Sequence, residues 1–212
     1  FVIAGAVRCA AAVAIAVLAG TAVPRRVPLL LLSAVIVAAA VILNNHAAGR
    51  LEHRAPLMVA AALHQFAAAA WIGGIPFFLA TLVGMSGQPA WPATARRFST
   101  VCMIAVAVLL SAGLFKSWYY IGATDAIWGT SYGAMTSTKV VLFAVLLTLG
   151  AFNFLSLRRA GGTPGATLLV RRRAEVELAL GFAVFFAAAS MTSLPPAADL
   201  PDDRATWAEI AE

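Results

Sequence analysis

The chain has 212 residues, of which 62% are hydrophobic and only 11% charged, whereas a soluble domain carries about 25% charge. That composition excludes an ordinary water-soluble domain. The net charge of +6 sits in alternate connections and not in a contiguous basic patch, which argues against a nucleic-acid partner. Two cysteines in 212 residues exclude a disulfide scaffold.

Six apolar stretches follow in chain order, at 1–23, 27–43, 57–83, 98–115, 140–155 and 178–194. Each is close to the ~20 residues that a helix needs to cross ~30 Å of hydrocarbon. They do not alternate apolar and polar residues as membrane β-strands do. The expected fold is therefore all-α, a polytopic membrane protein with a bundle of about six transmembrane helices. Residues 1–196 are expected to form the membrane domain and 197–212 a polar tail. The chain opens on Phe1, inside an apolar run and without an initiating Met, so a fragment of a longer protein is expected.

The first stretch carries Arg8 and Cys9 and stops at Thr21-Ala22-Val23-Pro24. Arg8 has to snorkel or find a partner. The second stretch ends at Asn44-Asn45-His46, and a short polar link holds His53. The third begins near Leu57, carries Met58, His64 and Trp71, and meets Gly73-Gly74 and Pro76, where a bend is expected. Arg96-Arg97-Phe98-Ser99 opens the fourth, which carries Cys102-Met103 and closes on the interfacial aromatics Trp118-Tyr119-Tyr120. A longer link with Trp128-Gly129-Thr130-Ser131-Tyr132-Gly133 is expected to fold back toward the membrane. Ser137 or Thr138 is expected to cap the fifth helix. The sixth starts after Arg171–Arg173 and stops at Pro195-Pro196.

Arg25, Arg26, Arg96, Arg97, Arg158, Arg159 and Arg171–Arg173 fall on alternate connections. The positive-inside rule places them on the cytoplasmic side, so both chain ends face outward, into the periplasm of a bacterial inner membrane. The opposite face, with Glu52, Asp125, Asp199, Asp202 and Asp203, is mildly acidic and would concentrate cations.

All three histidines map to the outer side. His64 lies ~10 Å along the third helix at 1.5 Å per residue. One reading makes His46 and His53 solvated link residues and His64 the partner of a neighbouring helix. The other makes the three a metal entry path with Met58, Met135 and Met191, which map to the same face. Imidazole suits copper, and thioethers select Cu(I). Trp71 lies seven residues after His64, on the same helix face, and Gly73 and Gly74 allow close helix contact there. Lys139 and Tyr132 flank the start of the fifth helix. Lys139 reads as an interface anchor or as a partner of Asp125. Glu177 reads as a partner of Arg173 at i,i+4 spacing, or as a polar station in a cation path. Asn153 is a buried amide in need of partners. Cys102-Met103 is a candidate soft-metal exit site. There is no Gly-rich phosphate loop, Cys-x-x-Cys, serine-nucleophile pattern or paired carboxylate site, so an enzyme is not expected and no catalytic residue is assigned.

The order of these pieces resembles the copper-resistance D (CopD/PcoD) family of bacterial inner-membrane proteins. The matching residues are His64, Trp71, Gly73 and Gly74; Arg97-Phe98-Ser99; Gly129-Thr130-Ser131-Tyr132-Gly133 with Lys139; Asn153; and Glu177 with Pro195-Pro196. The CopD-like region spans about 57–197. Phe154 stands where the family often has Arg after the Asn, and Lys116 is not part of the pattern. The resemblance implies copper movement or relay across the inner membrane, and a periplasmic copper carrier or a fused periplasmic domain as partner. Two alternatives stay open. One is a b-type cytochrome-like electron carrier, with haem b held by His46 and His64. The other is a structural or assembly subunit of a larger membrane complex.

Overall fold

The computed structural model describes residues 2–19, 26–43, 45–84, 91–160, 164–206 and 209–210. Thr21–Pro24, Arg25, Asn44, Met85, Gly161–Thr163 and Glu212 lie outside them, and nothing is described of the side chains of Arg26, Arg158 and Arg159. The described residues are helical, without strands, as the apolar runs predict. The chain divides into two units, Phe1–Gln65 and Phe66–Glu212.

In the first unit α1 (Val2–Ala19) packs on α2 (Arg26–Leu43). Small residues, Ala11 on α1 and Ser33 and Ala40 on α2, are buried, and such residues let two helix backbones approach closely. Each helix has 18 residues, or about 27 Å at the α-helical rise. A 3-10 turn, His46–Gly49, follows, with the Asn45 side chain accepting from the Ala48 N–H at 3.2 Å. His53 adopts φ 53°, and its carbonyl accepts from the Leu57 N–H at 3.1 Å as α3 (Arg54–Trp71) begins.

The second unit continues with α4 (Gly74–Gly84), α5 (Trp91–Ile121), α6 (Ala126–Gly129), α7 (Ser131–Ala160) and α8 (Pro164–Ser190), then short 3-10 turns at Met191–Ser193 and Ala197–Asp199. Four segments among the described residues are long and apolar enough to cross a membrane: Arg54–Gly84, Trp91–Ile121, Ser131–Ser156 and Leu168–Asp199. Two further apolar helices, α1 and α2, have 18 residues each, so each of the six expected runs forms helix among the described residues.

The bend expected at Gly73-Gly74 is a true break between α3 and α4. A Cβ on Gly73 would strike the Ala69 carbonyl oxygen, and one on Gly74 would sit 2.9 Å from the Phe98 ring. Hydroxyls inside the helices bond back to their own carbonyls four residues earlier. Thr81 donates to Phe77 O at 2.8 Å, Ser111 to Ala107 O at 2.9 Å and Thr148 to Ala144 O at 2.8 Å. This lets polar residues face hydrocarbon without an unmet donor. Large apolar side chains that are exposed, such as Phe77, Trp118 and Phe186, form the expected lipid-facing surface.

Three element boundaries differ from the sequence reading, and the first is α5, which starts at Trp91, ahead of Arg96. α7 starts at Ser131 and not near Ser137 or Thr138, because Thr130 caps it. Its Oγ1 accepts from the Gly133 N–H at 3.0 Å and donates to Ala126 O at 2.7 Å. Thr138 instead bonds within the helix, to Ala134 O. α8 starts at Pro164, so Arg171–Arg173 lie inside it, with Pro in the first helical position where its missing N–H does no harm.

Candidate functional site

α7 and α8 run antiparallel, which sets residue 153 opposite 177 and residue 156 opposite 173. Within the second unit, Trp71 at the end of α3 joins this pair. Glu177 is only 5% exposed. Asn153 Nδ2 donates to Glu177 Oε1, and Trp71 bonds the same carboxylate through its side chain. The indole of Trp71, 3% exposed, is itself fixed by an edge-to-face contact with Phe143, ring centroids 5.8 Å apart at 81°. Three residues that the sequence singled out separately thus form one buried polar cluster inside apolar helices.

Arg173 does not pair with Glu177. Its Nη1 donates to Ser156 Oγ at 2.7 Å and to Phe152 O at 3.0 Å, and its guanidinium lies 5.7 Å over the Phe152 ring. The i,i+4 pairing on α8 is made instead by Arg171 and Glu175, Nε to Oε1 2.8 Å. The i,i+4 spacing of Arg173 and Glu177 thus carries no contact, because periodicity alone does not say which helix face α7 covers.

The cluster borders a cavity of about 320 Å³ lined by α4, α5, α7 and α8. Phe98, Ser99, Cys102 and Met103 come from the first half of α5, Asn153 from the late part of α7, and Glu177 from the middle of α8. Cys102 and Met103, read from sequence as a separate exit site, share this cavity with Glu177. Stacking of Phe78 on Phe98, centroids 4.5 Å apart and 9° between planes, walls one side. Gly74 allows Phe98 that approach. Both cysteines are free, Cys9 exposed and Cys102 half-buried.

The remaining candidates take ordinary positions. In the first unit His46 opens the 3-10 turn and is half-buried, His53 is exposed, and Met58 and His64 are half-buried on α3. The positive φ of His53 is a conformation that histidine tolerates better than most residues. In the second unit Met135 is half-buried on α7, and Met191 is buried at the end of α8. Tyr132 lies 6.4 Å from the Tyr120 ring, and Lys139 is half-buried one helical segment further along α7. Among the described residues no group of three or more His, Cys, Asp or Glu forms a metal cluster.

Lys139 is not the partner of Asp125. Arg204 is: its Nη1 donates to Asp125 Oδ1 at 3.0 Å and Oδ2 at 2.9 Å. The Ala205 N–H donates to Gly129 O at 2.9 Å. The polar tail therefore docks on the α6 turn. That contact, between residues 79 apart in sequence, has no local signal.

A bundle of apolar helices that encloses a hydrogen-bonded carboxylate defines a polytopic membrane protein with a buried polar station. Residues 92–191 match the model of the family described as Copper resistance protein D. The chain is also 37% identical over 137 residues, 63% of its length, to "Copper transport protein CutJ" of Bacillus subtilis (strain 168), and spans 24% of the length of that relative. No solved structure matches significantly.

Proposed function

We propose that this chain is the membrane part of a copper-handling protein of the bacterial inner membrane, a transporter-like protein and not an enzyme. The observation that carries the reading is Glu177, a carboxylate 5% exposed among membrane-length helices. An ionisable residue there is costly and marks an ion pathway by default. The match to the Copper resistance protein D model and the likeness to CutJ support copper as the ion. Copper is cargo: it is gathered at the acidic outer face by His46, His53 and His64 with Met58, Met135 and Met191, and passes toward Glu177. No nucleotide motif is present, so movement runs down a gradient or by exchange. Both chain ends face the periplasm, where a copper carrier or a further domain delivers the ion. Direct support for the histidine–methionine grouping is its sequence placement and ligand chemistry.

The test is copper accumulation in cells that carry His64→Ala. Accumulation is expected to fall toward the level of cells lacking the protein. Uptake equal to wild type removes His64 from the path.

A further inference from the structure

We propose that the cavity beside Glu177 is a binding station for Cu(I), with Cys102 Sγ and Met103 Sδ as ligands and the Glu177 carboxylate as counter-charge. This deepens the functional reading above and rests on it for the identity of the ion.

The first argument is charge. Glu177 is held by two neutral donors, the Asn153 amide and the Trp71 indole. The basic residue one turn away, Arg173, is committed to Phe152 and Ser156. A carboxylate that is removed from water and held only by neutral groups calls for a cation. The cavity of about 320 Å³ beside it has room for one.

The second argument is ligand type. A thiol and a thioether line the same cavity, and that donor pair selects Cu(I) over harder ions. Zn(II) asks for four ligands and Ca(II) for six or more oxygens. No cluster of three His, Cys, Asp or Glu among the described residues would meet those demands. Cu(I) is satisfied by as few as two sulfur donors. Binding places one monovalent ion on the Cys102 sulfur and the displaced thiol proton passes to the Glu177 carboxylate, which lines the same cavity, so the incoming positive charge is offset within the site.

A third observation supports a guest. Asn153 Oδ1 is buried and has no hydrogen-bond partner, although its amide lines the cavity. Unmet buried acceptors are uncommon and call for a reason. An ion, or the water that accompanies it, meets this one.

The experiment uses the purified full chain with Cys9→Ser, which leaves Cys102 as the sole thiol. Silver(I) serves as the redox-stable probe, and two quantities are read: bound silver per chain in competition with a chelator, and the rate at which N-ethylmaleimide alkylates Cys102. Silver is expected to suppress alkylation. Cys102→Ser is expected to lose one bound ion. Glu177→Gln and Met103→Leu are expected to weaken apparent affinity about 10- to 100-fold, the range for altered support of a metal site. Unchanged stoichiometry in Cys102→Ser, or equal protection of Cys102 in Glu177→Gln and Met103→Leu, overturns the site.

The two readings fail separately. Protection of Cys102 that survives His46→Ala, His53→Ala and His64→Ala together, in a protein whose loss does not alter cellular copper, keeps the station and refutes the transport function. Copper uptake that depends on the chain, together with silver binding indifferent to Cys102, does the reverse.

Discussion

At position 177 the membrane interior holds a carboxylate through a single amide and an indole. Hydrogen bonds to a charged group contribute about 1.5–3 kcal/mol, and deleting one partner alone exposes the full desolvation penalty of the other. Asn153→Leu is therefore expected to lower the melting temperature of the purified chain markedly. Asn153→Leu with Glu177→Leu is expected to recover most of that loss, since replacing a whole buried polar pair by apolar groups is near neutral. A double variant as unstable as the sum of the two singles would show that the two residues are not coupled. Each residue was visible in the sequence as a polar group in an apolar run. Their contact was not, because it depends on the register between α7 and α8.

A second residue-scale prediction concerns Asp125. Bonding to the Arg204 guanidinium, and its positive charge, hold the Asp125 carboxyl below the usual carboxylate range against an opposing effect of burial. The folded-state value is depressed, so the contact contributes fully above that range and is lost on acidification through it. Hydrogen-exchange protection of the Ala205 N–H, which is bonded to Gly129 O, is expected to hold at neutral pH and to fall below about pH 4. Asp125→Asn is expected to lower protection at neutral pH and to flatten the profile. Protection in that variant that tracks the wild type across the range refutes the linkage.

At the scale of elements, the clearest misreading is the start of α7. Gly129–Gly133 has the composition of a loop, yet Thr130 terminates α6 and caps α7 at once. Ser, Thr and Gly favour both turns and helix starts, so composition alone does not choose between them. Thr130→Val is expected to destabilise the start of α7 by ~1 kcal/mol, visible as faster hydrogen exchange over 131–136 with little change near Leu146. Unaltered exchange there would mean that the tail contact and not the cap holds this end. The break after α3 was better signalled, because a glycine pair followed by Pro76 has few helical solutions.

For the whole molecule, charge placement makes a prediction that the helices themselves do not. By the positive-inside rule, arginines on alternate connections support the proposed orientation, with the tail outside. Alkaline phosphatase fused after Glu212 is expected to be active in cells, and a green fluorescent protein at the same point dark. The opposite pattern would invert the proposed orientation and with it the proposed entry of copper at His64.

Apolar run length and charge placement belong to the sequence alone, because hydrocarbon forces each long apolar segment to satisfy its own backbone as helix. All-α class, the break at Gly73-Gly74 and the resemblance to a copper-linked family follow from such local signals. Only the tertiary structure decided that Arg173 turns away from Glu177. It alone joined Trp71, Asn153, Glu177 and Cys102 around one cavity. Those outcomes depend on which helix faces meet. Between apolar helices in lipid that choice rests on close packing and a few buried polar bonds, neither of which leaves a periodic trace along the chain.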